Sequence, residues 1–256
     1  MPSLDRAFGL LLLGAAVLAG CQSPTLPDPN DPNDVTVVQP QVLRASLRGA
    51  AEALNERLEK GEIDQQRYDQ LMAEYAEDLL GQTKIERIPH GQAWEYAEIF
   101  RTAQRWQDAE KVLRIAVKAA KNEDRRVNDS LRLAHALAQL NKVPEALEVA
   151  RSTFDTPAQE KAPILTAVLL EIVPAAKGKG SDMELARLLE DAIGQADQTI
   201  VDPDTQPGSA FIAARPHHIR NAWRTVVDLY RAVGREDLAA EAIRREEEAS
   251  RRGNTI

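Results

Sequence analysis

Side chains able to do chemistry are few in this sequence, and they are scattered. His90, His135, His217 and His218 are its four histidines, the side chains best suited to bind a metal or carry a proton near neutral pH. His217 and His218 are adjacent. Neighbouring helical residues point about 100° apart, so the pair does not converge on one ion, and no HExxH or His-x-x-x-His companion supports it. Gly178-Lys179-Gly180-Ser181 sets a lysine between glycines, as phosphate-binding loops do. It lacks their upstream glycine and preceding strand and reads as a hairpin turn. A GxSxG nucleophile elbow and a GxGxxG turn are both missing. Glu246-Glu247-Glu248 interleave with Arg244, Arg245, Arg251 and Arg252, which is the pattern of a solvated, salt-bridged helix face. The sequence therefore predicts no catalytic centre, no metal and no cofactor.

Cys21 is different, because its context assigns it a task. As the single cysteine it excludes an internal disulfide and a multi-thiolate zinc site. It closes an N-terminal segment with a positive start at Arg6 and an apolar stretch over 8–18, too short for a bilayer-spanning helix of about 20 residues. Leu18-Ala19-Gly20-Cys21 resembles the lipobox of bacterial lipoproteins. The resemblance implies that 1–20 is a cleaved signal peptide and that the Cys21 thiol is diacylated, with its new amino group usually acylated too. Each buried CH₂ contributes about 0.8 kcal/mol, so two or more chains anchor a protein stably. In the proteobacterial pattern an Asp after the cysteine marks retention in the inner membrane. Gln22 stands there instead, so the expected address is the outer membrane, facing the periplasm.

Composition narrows the fold class. With 43% hydrophobic and 28% charged residues the chain is globular, and 4% aromatics argue against a β-sandwich or barrel. A net charge of −8 leaves no overall basic field to draw in nucleic acid. Residues 21–40 carry five prolines among Asn and Asp, which predicts an extended tether behind the lipidated cysteine. Beyond it the period is helical. Leu43, Leu47, Ala50, Ala51, Leu54 and Leu58 recur three and four residues apart before Gly61. Asp64 can cap a second helix striped by Tyr68, Leu71, Met72, Tyr75 and Leu79. This 41–81 hairpin resembles the short SHOCT hairpin of bacterial proteins, which often serves oligomerisation, so a homo-oligomer is one expectation.

Residues 90–252 resemble divergent tetratricopeptide repeats. The last copy sets Trp223, Val226, Val227, Tyr230, Gly234, Ala239 and Ile243 in the signature slots, with Val227 where the family has a small glycine. The first copy has Tyr96, Ala97, Phe100, Trp106, Ala109, Leu113 and Ala116. A middle copy has Leu133, Ala134, Leu137, Ala146 and Ala150. Two further helices, about 158–176 and 181–197, match by length only. Pro144 and Pro216 are placed at first helical positions, Ser181 to Glu184 as a capping box, and 198–214 as a loop. The predicted fold is all-α, an α-solenoid of antiparallel helical hairpins.

In that family the first helix of each hairpin lines a groove that binds partners. The resemblance places Trp94, Glu98 and Arg101 there from the first copy, Asn128, Leu131, His135 and Gln139 from the second, and Asn221, Arg224, Asp228 and Arg231 from the last. This mixed polar set with one large aromatic lacks the Lys/Asn pattern of the carboxylate-clamp repeats. The expected function is a non-enzymatic scaffold or adaptor anchored in the cell envelope, with an envelope protein or peptide as partner and no nucleic acid. Similar repeat lipoproteins assist outer-membrane protein assembly, pilus assembly or recruitment of peptidoglycan enzymes. The alternatives are a self-assembling structural envelope protein or an enzyme with an unrecognised site.

Overall fold

A computed structural model describes residues 39–81, 83–154 and 165–253. The signal segment, Cys21 and nearly all of the linker lie outside the described residues. Within them the structure is all-helical, with ten α-helices and no strand: α1 (Pro40–Glu59), α2 (Gln65–Leu80), α3 (Ala93–Thr102), α4 (Trp106–Ala119), α5 (Glu123–Gln139), α6 (Val143–Arg151), α7 (Leu165–Ala176), α8 (Asp182–Gln198), α9 (Gln206–Ala232) and α10 (Glu236–Gly253). Each pairs with its chain neighbour as an antiparallel hairpin. Each hairpin then packs on the next, with α4 against α5, α5 against α7 and α8 against α9. The 41–81 hairpin does not stand apart: α1 and α2 both pack on α3.

One turn is used four times. α1, α3, α5 and α9 each end with a residue of positive φ, namely Gly61 (69°), Gln104 (56°), Asn141 (61°) and Gly234 (72°). The amide after each reaches back five residues to the helix. Glu62 N–H donates to the Arg57 carbonyl, Arg105 to Phe100, Lys142 to Leu137 and Arg235 to Tyr230, each at 2.9 Å. These are Schellman closures, which satisfy orphan carbonyls and reverse the chain tightly enough for the next helix to fold back. Their recurrence at α1 shows that the first hairpin closes like the second, third and fifth.

The buried faces follow the sequence pattern. Ala109, Ala146, Ala186 and Ala239 are all fully buried, and small side chains at these positions let paired helices approach. Tyr96, Phe100, Trp223 and Tyr230 are buried as expected. The Tyr230 hydroxyl, carried inward on α9, donates to Glu190 of α8 at 2.9 Å, so its polar tip has a partner. Ion pairs join successive hairpins: Arg114 on α4 to Glu145 on α6 at 2.5 Å, and Arg151 on α6 to Glu184 on α8 at 2.5 Å. These are solvent-exposed pairs of small individual worth.

Three local expectations are corrected. The segment 198–214 is a loop only to Thr205, and α9 begins at Gln206. The Thr205 hydroxyl accepts from Gly208 N–H at 3.2 Å, and Pro207 suits the first turn, where no amide partner is required. Gly208 is needed there, because a Cβ would lie 1.9 Å from the Asp202 carbonyl oxygen. Pro216 is consequently inside α9 rather than at its start; it forgoes one backbone hydrogen bond within a helix of 27 residues. Ser181 makes no side-chain cap. Asp182 reaches back instead and accepts from Gly178 N–H at 2.8 Å.

The repeated turn can be tested directly. Gly234→Ala should cost about 1 kcal/mol by forcing a Cβ into the left-handed region, while Gln104→Gly should be neutral or stabilising by a similar amount. The melting temperature should fall for Gly234→Ala and hold or rise for Gln104→Gly. Ala239→Leu should cost about 1–3 kcal/mol by overpacking the α9–α10 contact, read by the same melts.

Candidate protein-binding face

The first helices of the first four hairpins bring their polar side chains together. From α1, Arg44 reaches α3, where its Nε lies 2.7 Å from Glu98 and its Nη1 3.4 Å from Glu95. Gln41 also donates to Glu95 at 3.1 Å. From α3, Arg101 crosses to α5, with Nη2 3.0 Å from His135 Nδ1, and then to Glu171 on α7 at 3.8 Å. Gln139, one turn along α5, contacts the other nitrogen of the same ring at 3.1 Å. One polar row thus runs over α1, α3, α5 and α7, tied across by ion pairs.

Trp94 sits at the α1 end of the row. The Arg125 guanidinium lies over its ring at 3.4 Å and Arg44 at 4.7 Å, so the indole is flanked by two cations. Beside it is a cavity of about 200 Å³ lined by Trp94, by Ala116, Ala119 and Ala120 at the end of α4, and by Arg125 and Asp129. Asp129 has only 1% of its side chain exposed, and neither carboxylate oxygen has a hydrogen-bond partner. Arg125 Nε and Arg132 Nη1 are each 3.9 Å away, beyond hydrogen-bond reach. Burial therefore pushes the Asp129 carboxyl above its ordinary value, against the pull of the two arginines.

His135 is also held out of water. It packs edge-on to Trp106, with ring centroids 5.4 Å apart. Burial, with Arg101 nearby, lowers its pKa from 6.5 to about 4, so the ring is neutral at physiological pH and accepts from the guanidinium. Burial likewise lowers the pKa of Arg101, with Arg132 adding to the shift.

The anticipated groove residues divide into three groups. Trp94, Glu98, Arg101, His135 and Gln139 come together on the row, and Asn128 is half-buried on α5. Leu131 is fully buried and belongs to the core, because α5 is enclosed by α4, α6 and α7 and only a narrow stripe of it stays polar. Asn221, Arg224, Asp228 and Arg231 are exposed on α9 and do not join the row. Arg224 pairs instead with Glu246 at 3.3 Å and Arg231 with Glu236 at 3.8 Å, both within the last hairpin. Arg44, Glu95, Arg125, Asp129, Arg132 and Glu171 were missed. The signal for three of them was present: Arg125, Asp129, Arg132, His135 and Gln139 follow spacings of four, three, three and four, one continuous polar stripe along a helix.

Among the described residues no group of His, Cys, Asp and Glu could hold a metal ion, and no helix is long and apolar enough to cross a membrane. No family model and no curated protein matches the chain. Among the solved structures that resemble it are two of a putative kinesin light chain from Podosopora anserina with nearly identical TPR-like repeats. A form of that protein with a single substitution is 18% identical, covers 82% of this chain and 97% of its own, and gives a TM-score of 0.45. The other is 17% identical, covers 81% and 96%, and gives 0.44.

The buried histidine yields a prediction with a definite sign. Because the folded pKa of His135 lies below the unfolded value, the unfolded chain binds the proton first as pH falls. Its contribution to stability is complete above pH 6.5 and is lost as pH drops toward about 4. His135→Gln should flatten the fall of melting temperature across that window. An unchanged acid limb would show that His135 does not control it.

Proposed function

We propose that this protein is a lipid-anchored envelope scaffold that binds a protein or peptide partner along the polar row of α1, α3, α5 and α7. The observation that carries the reading is that row itself. It sets an arginine-flanked Trp94 beside the buried, unsatisfied Asp129. Arrays of helical hairpins present extended surfaces of this kind and work by binding. Trp and Arg dominate the energetics of protein interfaces, and the row supplies both. Anchoring rests on Leu18-Ala19-Gly20-Cys21 and the short apolar stretch before it. The Pro-rich segment after Cys21 would hold the array away from the membrane, and Gln22 favours the outer membrane and its periplasmic side.

Two measurements test the proposal separately. Cys21→Ala should abolish incorporation of a labelled fatty acid and leave the signal uncleaved, read as a heavier band; labelling and processing equal to wild type would remove the lipoprotein assignment. For the surface, Trp94→Ala should weaken crosslinked partner capture from the native envelope by more than about thirty-fold, equivalent to about 2 kcal/mol, with little change in melting temperature. Capture that survives the substitution would place the partner elsewhere. Loss of fold together with capture would make Trp94 a core residue.

A further inference from the structure

The cavity beside Trp94 holds an unusual feature for an interaction surface, a carboxylate buried with no hydrogen bond. An ionised carboxylate in such a place is costly unless donors reach it, and the two nearest arginines stop at 3.9 Å. A ligand bringing N–H donors would supply what is lacking. The walls narrow its chemistry. Ala116, Ala119 and Ala120 offer methyl groups, and Trp94 offers an aromatic face, so the entering group needs an apolar stem behind its donor head.

The cavity already shows one such head in place. The guanidinium of Arg125 lies 3.4 Å from the Trp94 centroid, yet its Nε falls short of Asp129. Arg125 stacks on the indole but does not satisfy the acid. Its side chain is 26% exposed, so it is only partly held by its surroundings. The net charge of −8 adds a long-range preference for a cationic partner. Arg125, Lys121 and Asp129 all line the cavity, so an anionic ligand that used the two cations would also meet the Asp129 carboxylate.

We propose that this cavity is a subsite for an arginine side chain of the partner polypeptide, with Asp129 as the counter-ion, Trp94 as the stacking surface and Arg125 as an internal occupant that the ligand displaces. This rests on the scaffold reading and adds to it the chemical class of the residue that the partner inserts. The guanidinium suits the site better than an ammonium, because its planar fork can stack on the indole and donate to both carboxylate oxygens at once.

The test uses the full chain and three small probes, acetyl-arginine amide, the uncharged isostere acetyl-citrulline amide, and acetyl-glutamate amide. Binding is followed by the NMR shift of the Trp94 indole N–H, assigned with Trp94→Phe. Arginine should bind at least five-fold more tightly than citrulline and glutamate. Asp129→Asn, which keeps shape and fold, should abolish that preference, and Arg125→Ala should tighten arginine binding several-fold by removing the competitor. Equal binding of the three probes, tighter binding of glutamate, an unchanged preference in Asp129→Asn, or no arginine binding even in Arg125→Ala would each overturn the proposal. The probes are free amino-acid amides, so their result stands apart from partner capture. Selective arginine binding without any captured partner would keep the subsite and remove the scaffold reading, and capture without arginine selectivity would do the reverse.

Discussion

A hairpin of two short helices cannot bury both of its faces, and everything else in this protein answers that constraint. Each of the last four hairpins buries a small residue of its second helix, Ala109, Ala146, Ala186 or Ala239, and leaves its remaining apolar surface to a neighbour. Burial therefore passes along the chain from α3–α4 to α5–α6 and on to α9–α10, and the 41–81 hairpin joins through α3. The repeated Schellman turn serves the same end, since a tight reversal keeps the second helix within reach of the first.

Such an array frees its first helices to carry polar groups, but at close quarters. α5 is packed by α4, α6 and α7, so its polar stripe from Arg125 to Gln139 is largely enclosed. Charges there must find partners or lose their ionisation. Arg101 finds the neutral His135 and the carboxylate of Glu171, and so links three hairpins. Asp129 finds none at hydrogen-bond distance. The deficit is shared along the row, since Arg44 Nε, Glu98 Oε2, Arg101 Nε and Arg132 Nη1 are also buried without a hydrogen bond, but only at Asp129 does it cover the whole charged group.

Much of the fold was legible from hydrophobic period and turn residues. The hairpin of 41–81, the α3–α6 pairs and the α9–α10 pair follow their three- and four-residue spacing, and Gly61 and Gly234 mark two of the four turns. Gln104 and Asn141 take the same left-handed conformation without a glycine, so composition alone conceals them. The start of α9 was misplaced because VDPDTQPG reads as loop throughout; helix begins inside it once Thr205 caps the chain and Pro207 occupies the first turn. The site was half legible. Trp94, Arg101 and His135 were placed by the family register, which also put Leu131 on the surface, although Leu131 is fully buried. Arg44 and Glu171 were invisible because only tertiary packing brings α1 and α7 to the row.

If the array binds a partner as proposed, the polar row, and not the opposite faces, is where the two meet. Photo-crosslinking in intact cells tests this most directly, with a photoreactive residue replacing Glu98 on the row in one variant and Lys111 on α4 in another. Their side chains are 39% and 65% exposed, so mere accessibility favours Lys111. The account predicts one discrete crosslinked partner band from position 98 and none from position 111. The same band from position 111, with nothing from 98, would contradict it.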